Sequence, residues 1–193
     1  MQHKTILGID PGTKEMGLAV LSGQELRYFG VHTLRNGTRP YDVIGQARRI
    51  VLAVIEKHQP QVVAIEEPFN LPTKRAHLLN VIDDELRGRA EELGLEVVAL
   101  SPASIRERVT GNSKATKIDV AEALVAGGYD QLRELIPKRP IRAALGLRPR
   151  DKYWLHMFDA LGLATAAGSE DEPAVWEERL RQSLGSDGRL TKA

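Results

Sequence analysis

Apolar positions fall into short runs at the start of the chain and at helical spacing after it. Lys4 to Asp10 (KTILGID) is a brief apolar run closed by an acid and a Pro-Gly turn signal, the pattern of a buried strand. Met16 to Leu21 and Leu26 to Leu34 follow at hairpin spacing around Ser22-Gly23-Gln24, which predicts a three-stranded antiparallel meander. From Tyr41 to His58 the apolar residues Val43, Ile44, Ala47, Ile50, Val51, Val54 and Ile55 repeat with a helical period, and Pro60 ends the segment. Gln61 to Glu66 (QVVAIE) is apolar on both faces, as an interior parallel strand must be.

The alternation continues with a helix over Lys74 to Leu93, stopped by Gly94, and a fifth strand over Glu96 to Leu100. A short helix then runs from Ser101-Pro102 to Val109, Thr110-Gly111-Asn112 makes a turn, and Ser113 is placed to cap a helix reaching Ala126. Asp130 to Arg150 has weak periodicity and many prolines and arginines, so it reads as an insertion. Asp151 to Ala167 is a final apolar helix, and residues 168–193 form a polar tail. These elements predict an α/β fold: a mixed five-stranded sheet, three strands antiparallel and two parallel, covered by helices on both faces. Residues 1–167 then make one domain with 130–150 inserted in it, a size that buries a sufficient core.

Composition narrows the chemistry. The chain has 193 residues and no cysteine, which excludes disulfides, a thiolate nucleophile and cysteine-based zinc sites; a metal would sit on oxygen and imidazole. No apolar run approaches the roughly 18 residues of a membrane span, and Met1 to Thr5 leads into a strand without a signal-type apolar stretch, so a cytoplasmic protein that does not engage membranes is expected. The net charge of +1 conceals an uneven distribution. Ser101 to Lys152 carries 11 Lys and Arg against 6 Asp and Glu, whereas Gly168 to Ala193 carries 4 against 6. A basic segment beside clustered acids suits a polyanionic substrate cut with the help of a metal, although by itself it is also what a solvated surface looks like.

Two apolar strands end in acid. Asp10 precedes Pro11-Gly12, and Glu66-Glu67 precedes Pro68-Phe69. A carboxylate at the end of a buried strand is costly without a cation, and strand ends are where α/β sheets build ligand sites. Taken alone, Asp10 could instead be a turn former, and the glutamates solvated loop acids. Side-chain alternation lets only one of Glu66 and Glu67 point beside Asp10, and parity does not choose between them. His156 and Asp159, three apart on the last helix with Lys152 one turn upstream, project from one side and can offer two ligands to one metal. Acids plus one imidazole favour Mg²⁺ or Mn²⁺, and phosphodiester hydrolysis is the chemistry that uses such a site.

GIDPGTKEMGLAVL, VVAIEEPF, SPASIRERVTGNSKATKIDVAEAL and HMFDALGLATA together resemble the RuvC Holliday-junction resolvases of the ribonuclease-H-like superfold, over most of residues 4–167. The resemblance implies that Asp10, Glu66, His156 and Asp159 are catalytic metal ligands, with two Mg²⁺ ions per site or Mn²⁺ in their place. It also implies a homodimer that cuts opposed strands of a four-way DNA junction, with a branch-migration helicase as a candidate partner. By the same comparison Phe69 is a wedge into opened base pairs, Lys117 is a catalytic cation near the scissile phosphate, and Arg106 is a phosphate contact. Gly111-Asn112-Ser113 and Lys114 become phosphate donors at a helix N-terminus, and Lys152 a DNA contact. Trp154 and Tyr153 read as core anchors. The chain departs from the family in the length of 130–150 and of the tail; Pro137 to Lys152 alone holds six cations and one acid.

Two other enzyme classes compete. Gly8-Ile9-Asp10-Pro11-Gly12-Thr13 also resembles the phosphate-binding turn of actin and sugar-kinase phosphotransferases, but those need two domains around a nucleotide. YqgF-like nucleases that process RNA share the expected catalytic core. A junction-binding module without activity would be expected to have lost acids that are all present here.

Overall fold

A computed structural model describes residues 3–35, 39–67, 73–138 and 149–168. The strands are β1 (Thr5–Asp10), β2 (Glu15–Ser22), β3 (Glu25–Thr33), β4 (Val62–Glu66) and β5 (Glu96–Leu100), and they form one sheet in the order β3-β2-β1-β4-β5. The first three pair antiparallel, and β4 runs parallel to both β1 and β5. The expected mixed sheet is therefore the observed one. In β4, Val62, Val63, Ala64 and Ile65 are all buried, which only a strand covered on both faces requires.

Each face has its own apolar core. Leu7, Ile9, Leu18, Val20, Val63 and Ile65 point to one face and pack against α1 (Pro40–His58) and α2 (Lys74–Glu92) through Val51, Val54, Ile82 and Leu86. Ile6, Ala19, Val62 and Ala64 point to the other and meet α3 (Pro102–Thr110), α4 (Lys117–Ala126) and α5 (Pro149–Gly168). The last helix is the centrepiece of that second core: Met157, Phe158, Leu161 and Ala164 are fully buried against the sheet. Among the described residues no helix is long and apolar enough to cross a membrane.

Local signals explain most boundaries. Ser101 caps α3 by accepting from the Ser104 N–H, Pro102 occupies its first turn, and Gly111 ends it in the left-handed conformation at φ 71°. One expected start is corrected. Helix α4 begins at Lys117 rather than after Ser113, because Thr116 and Asp119 form a reciprocal capping box that satisfies the helix N-terminus there. Ser113 instead lies in an exposed turn, where Asn112 Oδ1 accepts from the Lys114 N–H at 3.0 Å. Part of the expected insertion is ordered as a short 3-10 helix over Asp130–Leu135, held by the buried Leu132.

Candidate active site

The register of the sheet brings the two strand-end acids together. Gly8 pairs with Ala64 and Ile9 with Ile65, so Asp10 and Glu66 stand side by side one step further along. Both continue the alternation of Ile6 and of Val62-Ala64, which face α3, α4 and α5. That settles a choice the sequence left open on parity: Glu66 points into the cluster, whereas Glu67 is exposed and its N–H bonds the Leu100 carbonyl at 2.9 Å.

Two glycines bring α5 down onto this end of the sheet. A Cβ on Gly8 would lie 2.0 Å from the Ala160 carbonyl oxygen, and one on Gly17 would lie 1.8 Å from that of His156. Gly17 is the cross-strand partner of Asp10. The close backbone approach that only glycine permits therefore seats His156 directly over Asp10. The Nδ1 of His156 is 2.5 Å from Asp10 Oδ2, and its Nε2 is 3.5 Å from Glu15 Oε2. Three residues along α5, Asp159 accepts a hydrogen bond from Lys117 Nζ at the start of α4.

Charge is concentrated and poorly hydrated here. Burial, then the nearby Asp10 carboxylate, pushes Glu66 up to about 7, against opposition from Lys117 and Arg106. Burial and Asp10 likewise raise Asp159 to about 6, with Lys117 opposing. Burial presses the Lys117 ammonium down, but Asp159, Asp10 and Glu66 more than offset this and leave its pKa above the usual value. The hydrogen bond to Asp10 is the largest influence on His156 and raises it. Three carboxylates thus face one another, and among the described residues Lys117, Arg106 and the His156 imidazole balance them.

This donor set has the chemistry of a hard divalent-cation site, since crowded carboxylates that resist ionisation are stabilised by such a charge. As the side chains stand, Asp10 is engaged by His156 and Asp159 by Lys117, and no three of the described His, Asp and Glu residues form a ready ligand group. Beside the acids lies a cleft lined by Glu66, Pro102, Ile105, Arg106, Lys117, Val120 and Asp159.

The other expected positions divide. Arg106 and Lys117 reach the cleft, and Lys152 is exposed in the early part of α5. Asn112, Ser113 and Lys114 lie in an exposed turn, so the helix N-terminus expected at Ser113 is not there; it begins at Lys117. Phe69 falls outside the described residues. Trp154 packs against the α3–α5 core, and the Tyr153 hydroxyl donates to the Val31 carbonyl at 2.9 Å. Sequence reasoning missed Glu15, Gly8 and Gly17. Glycine in the interior of an apolar strand was the available signal for the last two.

The sheet order and helix placement are those of the ribonuclease-H-like fold. Residues 6–127 match the model of the family described as crossover junction endodeoxyribonuclease RuvC, and the chain belongs to that family of nucleases. A RuvC from Bacteroides fragilis is 32% identical over 129 residues, covering 64% of this chain and 69% of that one. A RuvC from Neorickettsia sennetsu is 29% identical over 173 residues, covering 86% and 93%. The same fold is seen in Thermus thermophilus RuvC, with TM-score 0.66 at 23% identity over 88% of this chain and 96% of that one. The yeast mitochondrial Holliday junction resolvase Ydc2 also shares it, with TM-score 0.60 at 16% identity over 92% and 80%.

Proposed function

We propose that this chain is a metal-dependent endonuclease that resolves four-way DNA junctions as a homodimer in the cytoplasm. The observation that carries the reading is the convergence of Asp10, Glu66 and Asp159, with His156, at one end of the sheet in a member of the RuvC family. A T. thermophilus RuvC of the same fold has been seen with a Holliday junction substrate, which supports the choice of DNA.

In this reading Asp10, Glu66, His156 and Asp159 hold Mg²⁺, with room in the ligand count for two ions, and Mn²⁺ can substitute. When bound, the metal supplies an activated water and charge stabilisation for the leaving oxygen of an in-line displacement. The chain's own groups do the rest. Lys117 and Arg106 sit on the cleft side of the acids and hold the scissile phosphate, drawing a polyanion toward a carboxylate cluster that would otherwise repel it. Asp159, which accepts from Lys117 Nζ, would be one of the metal's holders, and Lys117 lines the cleft from which the phosphate would approach. Lys152 and the exposed Asn112-Ser113-Lys114 turn take more distant parts of the DNA backbone, and Phe69 wedges the base pairs beside the crossover.

The test is a substrate comparison. Four-way DNA, duplex DNA, single strands and structured RNA are each incubated with Mg²⁺ or Mn²⁺, and the products are mapped. The expected result is paired, symmetric incision of the four-way junction. Preferential cutting of structured RNA would move the chain to the YqgF-like reading, and no metal-dependent cutting of any substrate would end the nuclease proposal. Affinity alone does not discriminate, because phosphate charge dominates it.

A further inference from the structure

We infer that Arg87, held by Asp83, is a positioning residue for Glu66: its guanidinium bridges the Asp83 carboxylate and the Glu66 main-chain carbonyl at the point where β4 ends. The inference rests on the metal-site reading above and concerns residues that reading does not use. Arg87 Nη2 donates to the Glu66 carbonyl at 2.6 Å, while its Nε donates to Asp83 Oδ2, also at 2.6 Å.

The burial of this pair is what needs a cause. Among the described residues, the other arginine-carboxylate contacts of α2, from Arg89 to Glu85 and Glu92 and from Arg48 to Glu85, are far more exposed, with every side chain at 27% or above. The Asp83 side chain, by contrast, is 4% exposed and that of Arg87 17%. Asp83 Oδ1 is buried with no hydrogen-bond partner among the described residues. Burying an ion pair, one oxygen of it unsatisfied, stabilises a fold poorly; apolar side chains beside Ile82 and Leu86 would serve at least as well. The pair makes sense for what it grips. The rigid guanidinium fork fixes two directions at once, which an ammonium cannot.

Its grip falls on the peptide that follows Glu66. On one side the Glu67 N–H is bonded to the Leu100 carbonyl of β5, and on the other the Glu66 carbonyl is bonded to Arg87. The last peptide of β4 is thereby clamped from both ends, and with it the direction in which the Glu66 side chain leaves the sheet. α2 lies on the face opposite Asp10 and α5, so Arg87 reaches the acid cluster only through the backbone. Supporting groups of this kind typically change metal affinity by about 10- to 100-fold.

Binding of Mn²⁺ to the full chain, followed by electron paramagnetic resonance without DNA, separates positioning from folding. Arg87→Met is expected to bind Mn²⁺ about 10-fold more weakly than the wild type. On a four-way junction kcat should fall with KM unchanged, and Arg87→Lys, which keeps the charge beside Asp83 but loses the fork, should restore little. Wild-type Mn²⁺ affinity and kcat in Arg87→Met, with only the melting temperature lowered, would overturn the inference. If Arg87→Met does not fold, Arg87→Lys decides by the same two readings. A wild-type chain that binds no Mn²⁺ overturns the metal reading and this inference together, whereas a wild type that binds beside an unaffected variant overturns the inference alone.

Discussion

The Nδ1 of His156 lies 2.5 Å from Asp10 Oδ2, joining the first strand of the fold to its last helix at the point where the acids gather. With Glu15 facing the other ring nitrogen, both nitrogens look toward carboxylate oxygens, which suits a protonated imidazole. The cluster is thus balanced by protons and by Lys117 in the places a divalent cation would serve.

Stability should therefore depend on pH and metal together. Glu66, raised to about 7, and Asp159, raised to about 6, hold protons in the folded chain at pH values where the unfolded chain has released them. Between the ordinary carboxylate range and about 7 the folded state binds more protons, so stability falls as pH rises. The raised His156 acts in the same direction, its contribution being lost as pH rises through its folded value. Mg²⁺ removes the carboxylate repulsion, so its thermal shift should be larger at about pH 8 than at about pH 5. Equal shifts, read by differential scanning fluorimetry, would count against metal binding at these acids.

Lys117→Met removes the cation that offsets Asp159 and Glu66. In EDTA the variant should melt below the wild type, and Mg²⁺ should narrow the gap because it takes over the balancing charge. Junction cutting should fall by about 10- to 100-fold, as for other groups that support a metal site. A melting difference that is the same with and without Mg²⁺ would show that Lys117 does not share the metal's place.

The glycines under α5 give a prediction with an internal control. Gly17→Ala places a methyl against the His156 carbonyl, and overpacking of this kind costs about 1–3 kcal/mol while lifting α5 off Asp10. Melting temperature and cutting should both fall. Gly45→Ala, within α1 and with nothing within 4 Å of the added carbon, should gain up to about 1 kcal/mol and leave cutting alone. Intact activity in Gly17→Ala would separate α5 from the chemistry.

Much of this arrangement was legible in the sequence. Period-two and period-3.6 patterns locate the strands and helices, and two apolar strands ending in acid point to the sheet end where Asp10 and Glu66 stand side by side. The choice of Glu66 over Glu67 was not legible from pattern, because β4 is buried on both faces; it needed the register with β1 and the knowledge of which face α5 covers. The start of α4 is ambiguous in the sequence because Ser113 and Thr116 are both good caps, and only Thr116 has Asp119 three residues on to close the box. Arg87 and Asp83 look like one more i, i+4 surface pair until their burial is seen.

Phe69, assigned as a wedge by family resemblance, bears on substrate rather than metal. Phe69→Ala should slow cleavage of an intact four-way junction more than that of a junction already unpaired at the crossover, since the second needs no unstacking. Equal losses on both, in single-turnover assays, would remove the wedge.

The central claim is that Asp10 anchors a metal-dependent nuclease site. Wild type and Asp10→Asn are compared on a synthetic four-way junction in Mg²⁺, with binding and incision measured on the same preparations. Asp10→Asn should bind the junction as the wild type does and cut it at least about 100-fold more slowly. Incision by Asp10→Asn at the wild-type rate would contradict the account.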